Sequence, residues 1–437
     1  MKIEEYLINP IETYIKTERY INDGSPSGFS EQNKTSPETS PRSSILSFDI
    51  YSFELNEGVT VENIGAPHNF KIPNNIIYVH PDMISEPIWS KEYYHQCAGV
   101  EVSPTASGRT VLARGQTPFF IKLAYPKCLG RLIRHMGRDK ILSACEVTKH
   151  LMQAVESRKT NPKFSFLRED YGRVAYIPAV SDMDQTYPLV NGFYEWGMLL
   201  REFKPYPYIN ENEFLLPFFA LFGKEYIPGS LTSAAHQDLP LVLQLYQRQT
   251  QYKKLEEYLL QEVLFPLFDT YFDALLLAGI ELEAHSQNML ISLDNNLRVS
   301  RIVCRDLESA GRDGTLMEYL HIPFQKLCPY KYNYLTDIEP DQKYPKWQIT
   351  HSFMFDFKLG EYLVSPLLSC CKEYCDELNL SKIEEDIKEY NEHFISMLPK
   401  DFFPPEWCHY EKINFEKEGK KREYIWQKNP KYRRVRN

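Results

Sequence analysis

The sequence predicts an α+β protein in which an antiparallel sheet precedes a helical lobe. Three observations predict this. Short alternating apolar segments recur up to about residue 205. A run over 240–279 keeps apolar residues at helical spacing. Two apolar segments flanking Asp294-Asn295-Asn296 read as a hairpin over 288–306. The 437 residues correspond to about two or three domains at roughly 150 residues each.

Residues 1–22 predict a short helix. Residues 23–44 concentrate Ser, Pro, Gly and Thr and bury little, so they predict a flexible segment. SILSFDIYSFEL and NNIIYVHP read as strands, which makes 1–100 an N-terminal region. TVLARG and TPFFIKLAYP predict two strands around a Gly-Gln turn, and 141–157 predicts an amphipathic helix. RVAYIPAV (173–180) and FYEWGMLLREF (193–203) add strands, so 101–205 is the sheet-rich part. Within 240–279 two helices are expected, broken near Pro266 and ended by Gly279. Residues 350–400 are again helical, so 206–437 is a helical part carrying the hairpin and a basic C-terminal tail. The same order of elements occurs in protein-kinase-like and aminoglycoside-phosphotransferase-like folds, where ATP sits between the sheet-rich and helical parts.

Composition narrows the function. A net charge of −9 and no long basic stripe argue against a nucleic-acid partner. Lys420, Lys421, Arg422, Lys428, Lys431, Arg433, Arg434 and Arg436 cluster at the C-terminus and read as a solvated tail. A lid, a partner contact or attraction of an anionic substrate are the functional alternatives. MKIEEYLINPIETYIK is not a secretory signal, and no run of about 18 apolar residues predicts a membrane span. Nine scattered cysteines suit a reducing compartment, so a cytoplasmic protein is expected. Cys370, Cys371 and Cys375 lack paired CxxC spacing and read as helix packing.

Glu283-Ala284-His285-Ser286-Gln287-Asn288 and Arg305-Asp306 carry the sharpest chemical signal. The hairpin between them would bring Asn288 and Asp306 together as hard oxygen ligands for Mg2+, with Glu283 as a third. His285 would donate hydrogen bonds to a phosphate or a carboxylate. Taken singly, each residue reads as a helix end or surface group; as a converging set they read as a site. A second set is Ser107-Gly108-Arg109-Thr110, then Lys122 and Arg134. Small hydroxyl donors beside a planar guanidinium suit phosphate. Lys122, mid-strand in FFIKLAY, either snorkels from an edge strand or grips phosphate as a kinase-like strand lysine does. Arg134 opens the run Arg134-His135-Met136-Gly137-Arg138, with surface charge as its alternative reading. No GxxxxGK[ST] occurs, which argues against a P-loop.

Ser107-x-Arg109-Thr110, Lys122-Leu123, Arg134, Leu200-Arg201-Glu202, Glu283-Ala284-His285-x-Gln287-Asn288 and Arg305-Asp306 resemble, in order, the motifs of NRPS-independent siderophore (NIS) synthetases of the IucA/IucC, aerobactin-synthetase type. Tyr78-Val79-His80-Pro81 resembles the apolar-His-Pro segment preceding the first motif. The resemblance spans about residues 70–310 well and the later helices loosely. It implies a cupped-hand architecture with a kinase-like palm, and an ATP-dependent, adenylate-forming carboxylate–amine ligase of siderophore biosynthesis. Such a ligase joins a citrate-like polycarboxylic acid to an amine or alcohol. By resemblance, Ser107, Arg109, Thr110 and Lys122 would hold the phosphates of ATP. Arg134 and His285, with Arg109, would serve the reacting centre, and Glu283, Asn288 and Asp306 would hold Mg2+. Leu200 and Glu202, at a kinase-like hinge, would border the adenine. Dimers are common in the family, so the resemblance allows a homodimer.

The sequence departs from the family in four places. Its N-terminal region is shortened, it has only His80-Pro81 of an HPxHP element, Gly130-Arg131 stand where a small polar pair is usual, and His351 to Lys358 replace a run that usually holds an Arg. These differences bear on acid and amine recognition more than on nucleotide chemistry. His68, His80 and His95 read as packing or surface residues. Two rival functions remain at this stage: a kinase-like phosphotransferase, for which Gln287 is a poor base, and a non-catalytic nucleotide-binding homologue.

Overall fold

In the computed structural model, the described residues are 2–22, 36–41, 43–67, 70, 72–86, 88–89, 92–129, 132–179, 189–209, 212–229, 239–323, 343–416 and 419–436. The fold is α+β, as the sequence predicts. Gly130-Arg131 and His68 lie outside the described residues, as does most of the Ser/Pro-rich segment.

One large antiparallel sheet forms the first half. Its strands run in the order Thr60–Gly65, Tyr171–Pro178, Phe193–Glu202, Phe119–Leu123, Thr110–Ala113, Tyr94–Pro104, Phe48–Leu55 and Ile76–Val79, with Leu189–Val190 added beside Phe193–Glu202. The strand Tyr94–Pro104 runs through residue 100, so the N-terminal region and the sheet-rich part share this sheet. One face buries Ile50, Phe53, Val111, Ile121, Met198 and Trp196. The helix Arg138–Glu156 packs where the sheet offers no side chain. A Cβ at Gly172 or Gly197 would lie 2.5 or 3.0 Å from Ile141.

The second half is helical around a four-stranded sheet of order Phe214–Pro217, Met289–Leu293, Val299–Cys304 and Phe164–Phe166. The predicted hairpin is its centre, and Asp294 Oδ1 closes the turn by accepting the amides of Asn296 and Arg298 at 2.8 and 2.9 Å. Phe164–Phe166 joins in parallel, ahead of the return to the large sheet.

Two expectations are corrected. The 240–279 run breaks after Leu241–Gln247, not at Pro266; Leu255–Tyr258 continues through a π-helical stretch, Leu259–Leu264, into Phe265–Ala278. Wider π-turns before Pro266 accommodate a residue that has no amide hydrogen to give. Gly279 does end the helix, in a left-handed conformation with φ 64°.

The basic tail is also not simply solvated. Arg433 is 2% exposed and pairs with Asp356 at 2.9 Å, while Arg436 donates to the carbonyls of Leu398 and Pro399 near the end of the helix Leu380–Ser396. Arg434 bridges Glu385 and Glu392 at 2.7 and 3.1 Å. Buried acceptors, invisible in a charge count, hold this segment as a strap. Cys370, Cys371 and Cys375 are free thiols on or beside the helix Ser365–Tyr374. Among the described residues no helix is long and apolar enough to cross a membrane.

Candidate active site

The first predicted set is a tight turn. Ser107 Oγ accepts the amide of Thr110 at 2.9 Å, and Thr105 Oγ1 donates to the carbonyl of Thr110 at 2.8 Å. Gly108, at φ 72°, takes the left-handed corner. His80 supports the turn from beneath: its Nδ1 accepts the Asp82 amide at 3.1 Å, which leaves the proton on Nε2, 2.9 Å from the Gly108 carbonyl. Burial holds this ring below its ordinary pKa, in the neutral form that the two contacts require. His80 therefore shapes the turn as well as packing; His95 is exposed.

From that turn a cradle of cations faces the hairpin. Thr110 pairs with Lys122, and Lys122 with Leu199, so Arg201, two residues along the strand, shares a face with Lys122. Lys122 donates to Asp306 and, at 2.8 Å, to Glu308. Arg109 reaches Glu308 at 3.2 Å, and Arg201 reaches Asp306 at 2.8 Å. Arg109, Lys122 and Arg201 are each about 95% buried. Burial alone would raise the two carboxylates. Lys122 and the neighbouring guanidinium groups overcome it, holding both Asp306 and Glu308 below the usual carboxylate range. Arg109 also donates to the carbonyl of Arg134 at 3.2 Å, which sets half-buried Arg134 beside the cradle.

Asp306 follows the strand Val299–Cys304 in a left-handed conformation, φ 69°. Fully buried Glu169 holds it there, accepting the amides of Asp306 and Leu307 at 2.9 and 3.0 Å and pairing with Arg201. The ladder places Asn288 alongside, its carbonyl accepting the Arg305 amide at 2.9 Å. The Asn288 amide group donates to the carbonyl of Glu283 at 3.1 Å. Glu283 pairs with Lys358 at 2.8 Å, a residue of the π-helix Phe353–Val364 that lies between the rings of Phe353 and Tyr362.

His285 accepts the Gln287 amide on Nδ1 at 3.2 Å, so Nε2 carries the proton, 4.0 Å from Glu283. Burial pushes its pKa down to about 4 against the pull of Glu283. At neutral pH it is a neutral hydrogen-bond donor.

The structure thus puts Lys122 in direct contact with Asp306, links Arg109 to Lys122 through Glu308, and sets Ser107, Thr110, Arg134, Glu283, His285 and Asn288 around them. Strand alternation turns Leu200 and Glu202 to the opposite face from Lys122. Leu200 is in the apolar core, and Glu202 accepts the Tyr208 hydroxyl and lies 3.9 Å from Arg168. Sequence reasoning missed Glu308, Glu169 and Lys358 as site residues and left Arg201 without a role. Only Arg201, inside a quoted motif, and Lys358, in the run that departs from the family, carried any signal.

Among the described residues no group of three or more His, Cys, Asp or Glu side chains forms a metal site by itself. The donor chemistry still fits a hard cation that takes its remaining ligands from water and phosphate. Glu283, Asn288 and Asp306 offer only oxygen, and the Glu283 and Asp306 side chains stay 22% and 25% open to solvent.

Residues 90–223 match the model of the IucA / IucC family. No curated protein sequence matches the chain. Its fold is similar to that of the petrobactin biosynthesis protein AsbB from Bacillus anthracis str. Sterne, with a TM-score of 0.63 and 16% identity over 91% of this chain and 71% of that one. It is also similar to the aerobactin synthetase IucA from a hypervirulent pathotype of Klebsiella pneumoniae, with a TM-score of 0.60 and 12% identity over 91% and 72% of the two chains. The aerobactin synthetase IucC from the same source gives 0.55 and 13% over 85% and 68%.

Proposed function

We propose, from the match of residues 90–223 to the IucA / IucC family model and the similarity of the fold to that of two siderophore synthetases, that the chain is an ATP-dependent ligase of siderophore biosynthesis. It activates a small polycarboxylic acid, citrate-like in class, as an acyl-adenylate and joins it to an amine or alcohol in the cytoplasm. The observation that carries the reading is the facing of Arg109, Lys122 and Arg201 against Asp306 and Glu308, with neutral His285 at the same cleft.

Each group has a role that follows from its chemistry. Arg109 and Lys122 grip the nucleotide phosphates, and the Ser107–Thr110 turn sets Arg109 at the right height. A carboxylate oxygen of the acid attacks the α-phosphorus, the bond to the departing pyrophosphate breaks, and a mixed anhydride with AMP remains. His285 Nε2–H, oriented before the reaction by the Gln287 amide on Nδ1, faces the charge that builds there, and Arg134 adds positive charge beside it. The amine then attacks the acyl carbon, gives up a proton, and AMP leaves. Glu283, Asn288 and Asp306 would hold Mg2+, whose contribution is to neutralise phosphate charge. Holding two reactants in one cleft supplies much of the remaining rate.

The test is a pyrophosphate-release screen over di- and tricarboxylic acids with hydroxylamine as a generic trap. AMP and pyrophosphate with a hydroxamate product support the ligase. ADP as product supports a kinase-like phosphotransferase, and ATP binding without turnover for any acid supports a non-catalytic homologue.

A further inference from the structure

The Arg305 guanidinium, buried behind the hairpin, ties the 285–288 loop to a helix near residue 15. Its Nε donates to the carbonyl of Gln287 at 2.8 Å. One terminal nitrogen meets both carboxylate oxygens of Glu18 at 3.0 Å, and the other donates to the Tyr14 hydroxyl. Tyr14 and Glu18 lie one turn apart on the helix Pro10–Tyr20, and both are fully buried.

Everything around that helix keeps it from shifting. The Tyr14 ring meets Phe120 and Phe203 edge-on at 5.1 and 5.7 Å, so it touches the strand that carries Lys122. Arg19, on the next turn, donates to the carbonyls of Ile45 and Ser43 at 2.6 and 2.8 Å. Asn9 caps the first turn by accepting the Glu12 amide.

We infer that Glu18 and Tyr14 are positioning residues for the active site: they fix Arg305, and Arg305 fixes the 285–288 loop through the Gln287 carbonyl. Other backbone bonds hold the loop to Tyr362 and Phe219, and the Gln287 carbonyl is its contact with the Arg305 guanidinium. The Gln287 amide sets the His285 tautomer, and the Asn288 carbonyl receives the Arg305 amide. The three guanidinium nitrogens each have a separate partner, Gln287, Glu18 and Tyr14, and these contacts together fix the guanidinium plane. Without Glu18 the plane can turn, and the Gln287 carbonyl loses its fixed donor. His285 and Asn288 then sample other positions, whereas Arg109 and Lys122 keep their own turn and strand.

The inference rests on the ligase reading for its catalytic arm only, so the test has two arms. Backbone amide exchange is compared for the wild-type protein and for Tyr14→Phe, which keeps the ring packing, and Glu18→Gln. Exchange over 285–289 should quicken at least tenfold in Glu18→Gln and by a smaller factor in Tyr14→Phe, with 110–123 unchanged and Glu18→Asp restoring part of the protection. In pyrophosphate release, kcat should fall about tenfold or more in Glu18→Gln while the KM for ATP stays within threefold. Unchanged exchange at 285–289 in both variants, or an equal rise along the whole chain, overturns the inference. If wild-type protein fails to release pyrophosphate with every acid offered, the function proposed above fails and the exchange arm alone still decides this one.

Discussion

Lys122 and Asp306, 184 residues apart in sequence, form a direct ion pair that closes the sheet onto the hairpin. A lysine in the middle of an apolar strand thereby acquires a partner, and a carboxylate that would resist burial stays ionised. Neutralising either end while keeping its shape separates charge from packing. Asp306→Asn and Lys122→Met should each lower acid-dependent pyrophosphate release by at least a hundredfold while the far-UV spectrum stays native. Steady-state assays with circular dichroism on the same samples check this. Wild-type rates in either variant would end the site assignment.

Arg109→Ala and His285→Ala should divide differently between binding and turnover. Arg109 meets phosphate before and during the reaction, so its loss should raise the KM for ATP and lower kcat. His285 faces charge that develops only as the anhydride forms, so its loss should fall mainly on kcat. A single oriented donor of this kind contributes about 10²–10³ in rate. Initial-rate measurements over a matrix of ATP and acid concentrations resolve the two patterns.

His351 predicts a pH dependence of stability. Its ring is held between Glu281 at 2.7 Å and Asp313 at 3.1 Å, and it stacks on Phe402. Burial opposes the charge, but the two carboxylates prevail and raise its pKa to about 9. A pKa raised on folding means that the folded state binds the proton more tightly. The contribution is therefore complete below the ordinary value near 6.5 and is lost as pH climbs through 9. Over that span it amounts to about 3 kcal/mol. Thermal melts from pH 6 to 10 should show wild type losing its advantage over His351→Gln, and parallel curves would refute this.

The C-terminal strap should be a stability element. Arg433→Met leaves Asp356 buried without its guanidinium partner, although Ser352 still donates to it at 2.7 Å. Removing one member of such a pair typically costs about 3–5 kcal/mol. Urea unfolding should report a loss of that order, whereas Arg434→Ala, whose pairs are exposed, should cost under about 1 kcal/mol.

Much of the scaffold was legible because its signals are periodic. The helix Arg138–Glu156, the strands Phe119–Leu123 and Phe193–Glu202, and the hairpin around Asp294 each declare themselves within a dozen or so residues. Pro266 misled because a break is only one way for a helix to accept proline, and the π-helical stretch ahead of it is another. In the site, Arg109, Lys122, His285 and Asp306 could be named because their motifs are local. Glu169, Glu308, Tyr14 and Glu18 could not. Each is an ordinary polar residue whose role comes from a partner more than 130 positions away. Leu200 and Glu202 were expected to border the adenine at a kinase-like hinge; they lie on the face opposite Lys122, because adjacent residues of a strand face opposite ways.

The left-handed backbone at Asp306 makes that position selective in a second, independent sense. An L-residue held at φ 69° tolerates few side chains, with glycine and asparagine the most comfortable and β-branched residues the least. Saturation of this codon would therefore sort variants into three groups. Glycine and asparagine fold and are inert, glutamate keeps the charge on a strained main chain, and valine or isoleucine seldom accumulates as folded protein at all.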